Sequence, residues 1–376
     1  MPTPSLLIVP ARFKTGKLYS QIPTSGAGDF TVTRNTEARR FGPDGLIASV
    51  ASGIPRLDYY TSGGVTGCPA LLVEPAATNL ALHSRDLSNA VWSGTNITTA
   101  KNAVGADGVA SGATTLTATA ASGTVLQALS HASQSRVFSA YVRRVTGTGA
   151  IQMTTNGGTN WTTVTISSLY TQVACAAQTV ASGTVGFRMA VSGDVIEVDF
   201  TQGEVGPIAT SPISTTTGTG SRSADVISVS GAVSGSIGQT EGTIYAEVDF
   251  RQVAAGTIFV LDDGDPSDFI NILKQSNLTI SVRLRRASGT IVTIITSSAV
   301  ALGVHKIALV YKNGDYALYI DGVSAGTSTN STDYPATALV QCVLSNTNYG
   351  PLNDRIRAAA LYTTRLTNAE LAALTA

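Results

Sequence analysis

The densest run of potential metal ligands in the 376-residue chain is Leu261-Asp262-Asp263-Gly264-Asp265-Pro266-Ser267-Asp268-Phe269. Hard carboxylate oxygens this close together suit Ca²⁺, so Asp262, Asp263, Asp265 and Asp268 are candidate ligands and calcium the one candidate cofactor. The run lacks the twelve-residue spacing of an EF-hand loop and has Gly and Pro where a hairpin would turn, so a solvated turn is the favoured reading. Melting with and without chelator separates the two. Gly322-Val323-Ser324-Ala325-Gly326 matches the G-x-S-x-G nucleophile elbow. That elbow needs a helix after the serine, and Thr327-Ser328-Thr329 in a strand-rich stretch does not supply one. His83, His131 and His305 have no acidic or cysteine partner at triad or metal spacing and read as structural. No two carboxylates are singled out as a glycosidase pair. No catalytic residue is therefore assigned.

Sugar-binding surfaces use exposed aromatic faces beside amide or carboxylate groups. Aromatics are 6% of the chain, with two tryptophans. Trp92 reads as core. Trp161, after Asn156-Gly157-Gly158 at a strand end, reads either as a sugar platform or as a lid on the core. Cys68, Cys175 and Cys342 are odd in number and far apart, which points to three free thiols in a reducing compartment and excludes a CxxC-type metal site.

The elements that must position such residues are strands. His305 to Gly322 carries two runs of period-two alternation around Asn313-Gly314, the dipeptide suited to a type I′ turn. Counting outward pairs Tyr311 with Tyr316, Leu309 with Leu318 and Ile307 with Ile320, and sets Lys312 against Asp315 and Lys306 against Asp321. Val137 to Val145 buries Phe138, Ala140 and Val142; Val195 to Phe200 buries Ile196, Val198 and Phe200. The only convincing helix is at the C-terminus, where Thr367 and Glu370 make a capping box and Leu366 staples onto Leu371. The fold class is all-β: two antiparallel β-sandwiches of jelly-roll type after an irregular N-terminal region, with one short C-terminal helix.

Charged residues are 13% of the chain and sum to zero, while hydrophobic residues are 43%. There is no basic stripe for nucleic acid, no run long enough to span a membrane and no basic leader. Scarce charge with a positive mean hydropathy suits subunit contacts, so a homo-oligomer is expected. The expected division is 1–74 as an attachment region, 75–213 as a first sandwich, 214–223 as a Ser/Thr/Gly linker and 224–376 as a second sandwich.

Two resemblances follow from these words. The strand-turn-strand ending in Tyr319-Ile320-Asp321-Gly322, with Asp354-Arg355-Ile356-Arg357-Ala358-Ala359-Ala360-Leu361-Tyr362 and the terminal helix, resembles concanavalin A-like (laminin G-like) jelly rolls. The order Gly28-Asp29-Phe30-Thr31, Asp44-Gly45-Leu46-Ile47, Cys68-Pro69-Ala70-Leu71-Leu72-Val73-Glu74-Pro75 and Asn89-Ala90-Val91-Trp92 resembles tailed-bacteriophage virion proteins. Gln202-Gly203-Glu204-Val205-Gly206 resembles the closing motif of carbohydrate-binding-module-like jelly rolls in that group. The resemblance implies a non-enzymatic tail-fibre, spike or capsid-surface component, assembled in the bacterial host cytoplasm and exposed on the virion. Its partners would be other virion proteins, copies of itself with a trimer first, and host-surface glycans. A glycan-degrading virion enzyme and a free bacterial carbohydrate-binding protein are the alternatives.

Overall fold

The computed structural model describes residues 2–62 and 65–376. The chain forms two compact units, one of Met1–Arg40, Val50–Pro75 and Ser223–Ala376, the other of Phe41–Ser49 and Ala76–Arg222. Both are sandwiches of antiparallel strands, and the all-β reading holds.

In the first unit an eight-stranded sheet runs Val323–Ser328, Tyr316–Ile320, Gly303–Lys312, Glu241–Phe250 and Asp354–Tyr362. Along the far side of Asp354–Tyr362 lie Leu6–Ile8 and Ala70–Val73, and Leu57–Asp58 pairs next. A nine-stranded sheet faces it, running from an edge hairpin of Phe13–Lys14 and Lys17–Leu18 through Phe30–Thr33 and Val226–Ser230 to Val292–Ala299 at the other edge. Inward residues of both sheets, among them Phe30, Ile244, Phe259, Ile272, Leu309 and Ile356, form one core.

The expected attachment region is therefore not a separate region. Apart from its excursion at 41–49, the segment 1–75 supplies strands to both sheets of the later sandwich. The expected linker also differs: Thr215 is buried and bonded to Ala81 and Ser84, and Gly220–Arg222 is a strand paired with Ala77–Asn79. Small residues can be there because backbones crowd together; a Cβ on Gly220 would lie 2.8 Å from the Ser214 carbonyl oxygen.

The hairpin register is as counted, with Ile307 opposite Ile320 and Leu309 opposite Leu318, and with Tyr311 and Tyr316 buried in the core. Its turn and charges differ from expectation. Positive φ falls on Gly314 (79°) and not on Asn313, as a type II rather than a type I′ turn requires. Lys312 pairs with Glu241 and Asp315 with Arg365, while Asp321 accepts from the Lys306 backbone N–H. Gly314→Val is therefore expected to lower stability by about 1 kcal/mol or more. Asn313→Val is expected to change it by less than about 0.5 kcal/mol. Thermal melts of the two variants check this, and equal losses would restore the type I′ geometry.

The terminal helix Asn368–Thr375 has the expected capping box, and Leu366 and Leu371 share a cluster with Tyr245, Ala308 and Val310 on the outer side of the eight-stranded sheet.

The second unit packs an eight-stranded sheet, built around Val195–Val205 and Gln134–Thr146, against five strands in the order Ser93–Thr95, Gly123–Ala128, Thr184–Met189, Ile151–Thr154 and Thr162–Val164. Its core contains Phe138, Ala140, Val142, Ile196 and Val198 as expected. Phe200 departs from the alternation. A φ of 47° and a nearby bulge send it to the opposite face, with Tyr141 and Ile47. There the Arg85 guanidinium lies 4.1 Å from its ring centroid and is held by Asp107 and Asp199.

Candidate functional site on the five-stranded sheet

The outer face of the five-stranded sheet follows from period-two alternation. Ile151, Met153, Phe187 and Met189 point into the core, so Gln152 and Arg188 point out. Thr163 is the register partner of Gln152, and Thr124 that of Arg188. Trp161 stands just before the last strand, half-buried, with the Arg188 guanidinium 4.6 Å from its ring centroid.

A tight loop places the indole. Asn156 Oδ1 accepts from the Asn160 N–H (2.9 Å), and the Gly158 N–H donates to Thr154 Oγ1 (3.0 Å). Gly157 and Gly158 both have positive φ. A Cβ on Gly158 would sit 2.9–3.1 Å from three indole atoms, so only glycine lets the ring pack there.

Arg188 Nε donates to Gln152 Oε1 (2.7 Å), and Gln152 Nε2 donates to Thr163 Oγ1 (3.2 Å). The two Nη groups of Arg188 have no hydrogen-bond partner among the described residues. The face thus offers an indole, free guanidinium donors, an amide and threonine hydroxyls, a set suited to polyhydroxylated ligands. Trp161 was singled out by residue type. Arg188 and Gln152 were missed, though their alternation with Phe187, Met189, Ile151 and Met153 was a usable signal.

The acidic run does not converge on a cation. Asp262 is buried and accepts from the Tyr349 hydroxyl (2.8 Å) and the Gly264 N–H (2.9 Å). Asp268, also buried, accepts from the N–H groups of Ala287 (2.7 Å) and Ala336 (3.0 Å). Asp263 accepts from Ser267 Oγ, and the Thr337 hydroxyl lies 2.9 Å from both Asp263 Oδ2 and Asp268 Oδ2. Asp265 is held below the usual carboxyl range by hydrogen bonds from Ser267. Among the described residues no three His, Cys, Asp or Glu side chains gather as a metal site. The carboxylates instead brace their own loop.

Burial pushes the Asp262 carboxyl up to about 6. Because that lies above the unfolded value near 3.8, the fold favours the protonated form. Its contribution is fully present below about pH 4 and is lost as pH rises through about 6, by roughly 3 kcal/mol at most. Asp262→Asn should remove this loss, since an amide can donate to Tyr349 while the tyrosine donates to the Asp265 carbonyl, 3.3 Å away. Melts of both proteins from pH 4 to 8 should show the variant gaining stability relative to wild type between about pH 4 and 6 and keeping that gain at higher pH. Parallel pH profiles would contradict the assignment.

The remaining candidates form no catalytic set. His305 does have an acidic partner, contrary to expectation: the hairpin brings Asp321 Oδ2 2.6 Å from Nδ1, while Nε2 lies 3.0 Å from the Ala301 carbonyl. Ser324 lies in the strand Val323–Ser328, opposite Tyr319 and with no helix directly after it, and its hydroxyl has no hydrogen-bond partner among the described residues. Trp92 is buried in the second unit and donates Nε1–H to the Leu82 carbonyl (3.1 Å). The three cysteines are free thiols, with Cys68 exposed.

The fold defines the chain as a pair of antiparallel β-sandwiches. Residues 220–372 match the concanavalin A-like lectin/glucanases superfamily (Laminin_G_3). No curated protein matches the chain. Among solved structures, the chain is similar to the CBM40 of the Ruminococcus gnavus IT-sialidase bound to α2,3-sialyllactose, at 19% identity over 37% of this chain and 84% of that one, TM-score 0.32. It is also similar to domain 4 of AbnA, a GH43 extracellular arabinanase from Geobacillus stearothermophilus, in complex with arabinotriose, at 18% identity over 41% and 73%, TM-score 0.35. A third is the heptameric SAP-like pentraxin of Limulus polyphemus, at 16% identity over 36% and 69%, TM-score 0.29.

Proposed function

We propose that this chain is a non-catalytic glycan-binding protein exposed on a bacteriophage virion as a fibre, spike or capsid-surface component. The observation that carries glycan binding is the Trp161 indole stacked with Arg188, whose Nη donors are unspent, beside Gln152 and Thr163. A sugar ring would lay its C–H groups on the solvent-facing part of the indole, while its hydroxyls accept from Arg188 and exchange hydrogen bonds with the threonines. The lectin-like match of residues 220–372 supports the general class, and the order of sequence words in the first 92 residues supports the virion setting.

In that setting the chain works as a homo-oligomer, a trimer first, in contact with other virion proteins. Light scattering reads this directly, and a monomer at micromolar concentration would refute it. Glycan binding is tested by an array screen of the full chain beside Trp161→Ala. Wild type should retain a defined set of neutral glycans, and the variant should lose them by about tenfold or more, equivalent to roughly 1.4 kcal/mol. A blank array for wild type, or an unchanged pattern for the variant, would remove the reading.

A further inference from the structure

We infer that the first unit carries a second ligand site, for a carboxylate-bearing sugar of the uronic acid type, in a cleft on the outer face of its nine-stranded sheet. The cleft encloses about 450 Å³ and is lined by Lys17, Asp29, Thr31, Ser228 and Ser230, with the Gly26–Ala27 turn at its rim. That volume falls within the usual range of small-molecule sites. Register explains the lining. Lys17 pairs with Thr31, and Thr31 with Ser228, in three adjacent strands. Their neighbours Leu18, Phe30, Val32, Ile227 and Val229 fill the core, so the polar row faces outward.

The functional groups are unspent. Lys17 is half-buried, and its ammonium forms no hydrogen bond or ion pair among the described residues. Asp29 Oδ1 accepts from the Ser20 N–H (3.0 Å) and lies 3.2 Å from Ser20 Oγ, while Oδ2 has no partner among the described residues. An ammonium left unpaired beside three hydroxyls calls for an anionic ligand that is also a polyol, and the free carboxylate oxygen of Asp29 accepts from a sugar hydroxyl. The edge hairpin adds positive potential. Arg12 and Lys14 lie 5.7 and 6.0 Å from the Tyr19 ring centroid, and neither has a carboxylate partner among the described residues. This site is independent of Trp161.

The test is calorimetric titration of the full chain with galacturonate, with galactose, which has the same ring without the carboxylate, and with inorganic phosphate. Galacturonate should bind at least about tenfold more tightly than galactose or phosphate, as expected for one charge-assisted hydrogen bond. Lys17→Met, which removes no internal hydrogen bond or ion pair of the ammonium among the described residues, should erase the preference, and Trp161→Ala should leave it intact. Equal binding of galactose would overturn the proposal, as would phosphate binding as tightly as galacturonate. So would a preference that survives Lys17→Met or disappears with Trp161→Ala.

Discussion

Deleting residues 1–74 is expected to unfold the sandwich that contains residues 223–376 rather than to release it as a stable module. Leu6, Ile8, Leu18, Phe30, Val32, Leu57, Leu71 and Val73 are all buried in its core. Each fully buried apolar side chain contributes about 1.5–3 kcal/mol, so their joint removal costs roughly 10 kcal/mol or more, comparable to the whole stability of a domain. The deletion also strips one edge of Asp354–Tyr362, a central strand whose register partners on that side are Leu6–Ile8 and part of Ala70–Val73. A fragment of residues 224–376 should show no cooperative melt and should bind a hydrophobic dye. A sharp transition close to that of the full chain would show that the N-terminal strands are dispensable.

Asp225→Ala is expected to have the largest effect of any single substitution. Asp225 accepts from Arg34 Nη1 (3.0 Å), from Arg56 Nη2 and from the Glu74 backbone N–H (3.0 Å). Arg56 also donates to Glu74 Oε2 (2.6 Å), and all four side chains are essentially inaccessible to water. Burial works against the Arg56 charge, and Asp225 and Glu74 outweigh it, holding the guanidinium above its ordinary pKa. Arg34 meanwhile gathers the carbonyls of Thr36, Val50, Ala51 and Ile54, so the network ties the N-terminal loops to the strand at 226–230. Removing the shared carboxylate leaves two buried guanidinium groups undercompensated, at a cost of about 3–5 kcal/mol. Asp225→Asn keeps the acceptor and should lose less. Urea denaturation gives both values, and a loss under about 1 kcal/mol for Asp225→Ala would show that the network is not a structural tie.

Local order was legible and long-range pairing was not. The register around Asn313-Gly314, the Thr367–Glu370 capping box and the burial of Trp92 each follow from residues within a few positions of one another. The chain crosses between the units at Arg40/Phe41, Ser49/Val50, Pro75/Ala76 and Arg222/Ser223; composition changes near the last two, and nothing local marks the excursion at 41–49. By contrast, Leu6 pairs with Leu361, and no local signal in a three-residue strand names so distant a partner. The Ser/Thr/Gly stretch at 214–223 has linker composition, yet its small side chains suit close backbone packing equally well. The same limit applied to the site. Trp161 stood out by type, whereas Arg188 and Gln152 reach it only through the register of the five-stranded sheet. Asp225 and Arg56, 169 positions apart, were silent for the same reason.

The most direct test of glycan binding at the five-stranded sheet uses the chain's two tryptophans. An ¹⁵N-labelled full chain should show two indole N–H resonances, assigned with Trp161→Ala. On titration with a neutral glycan retained on the array, the Trp161 resonance should shift saturably while that of Trp92, buried and bonded to the Leu82 carbonyl, stays in place. Saturable binding of that neutral glycan with the Trp161 resonance unmoved would contradict the account.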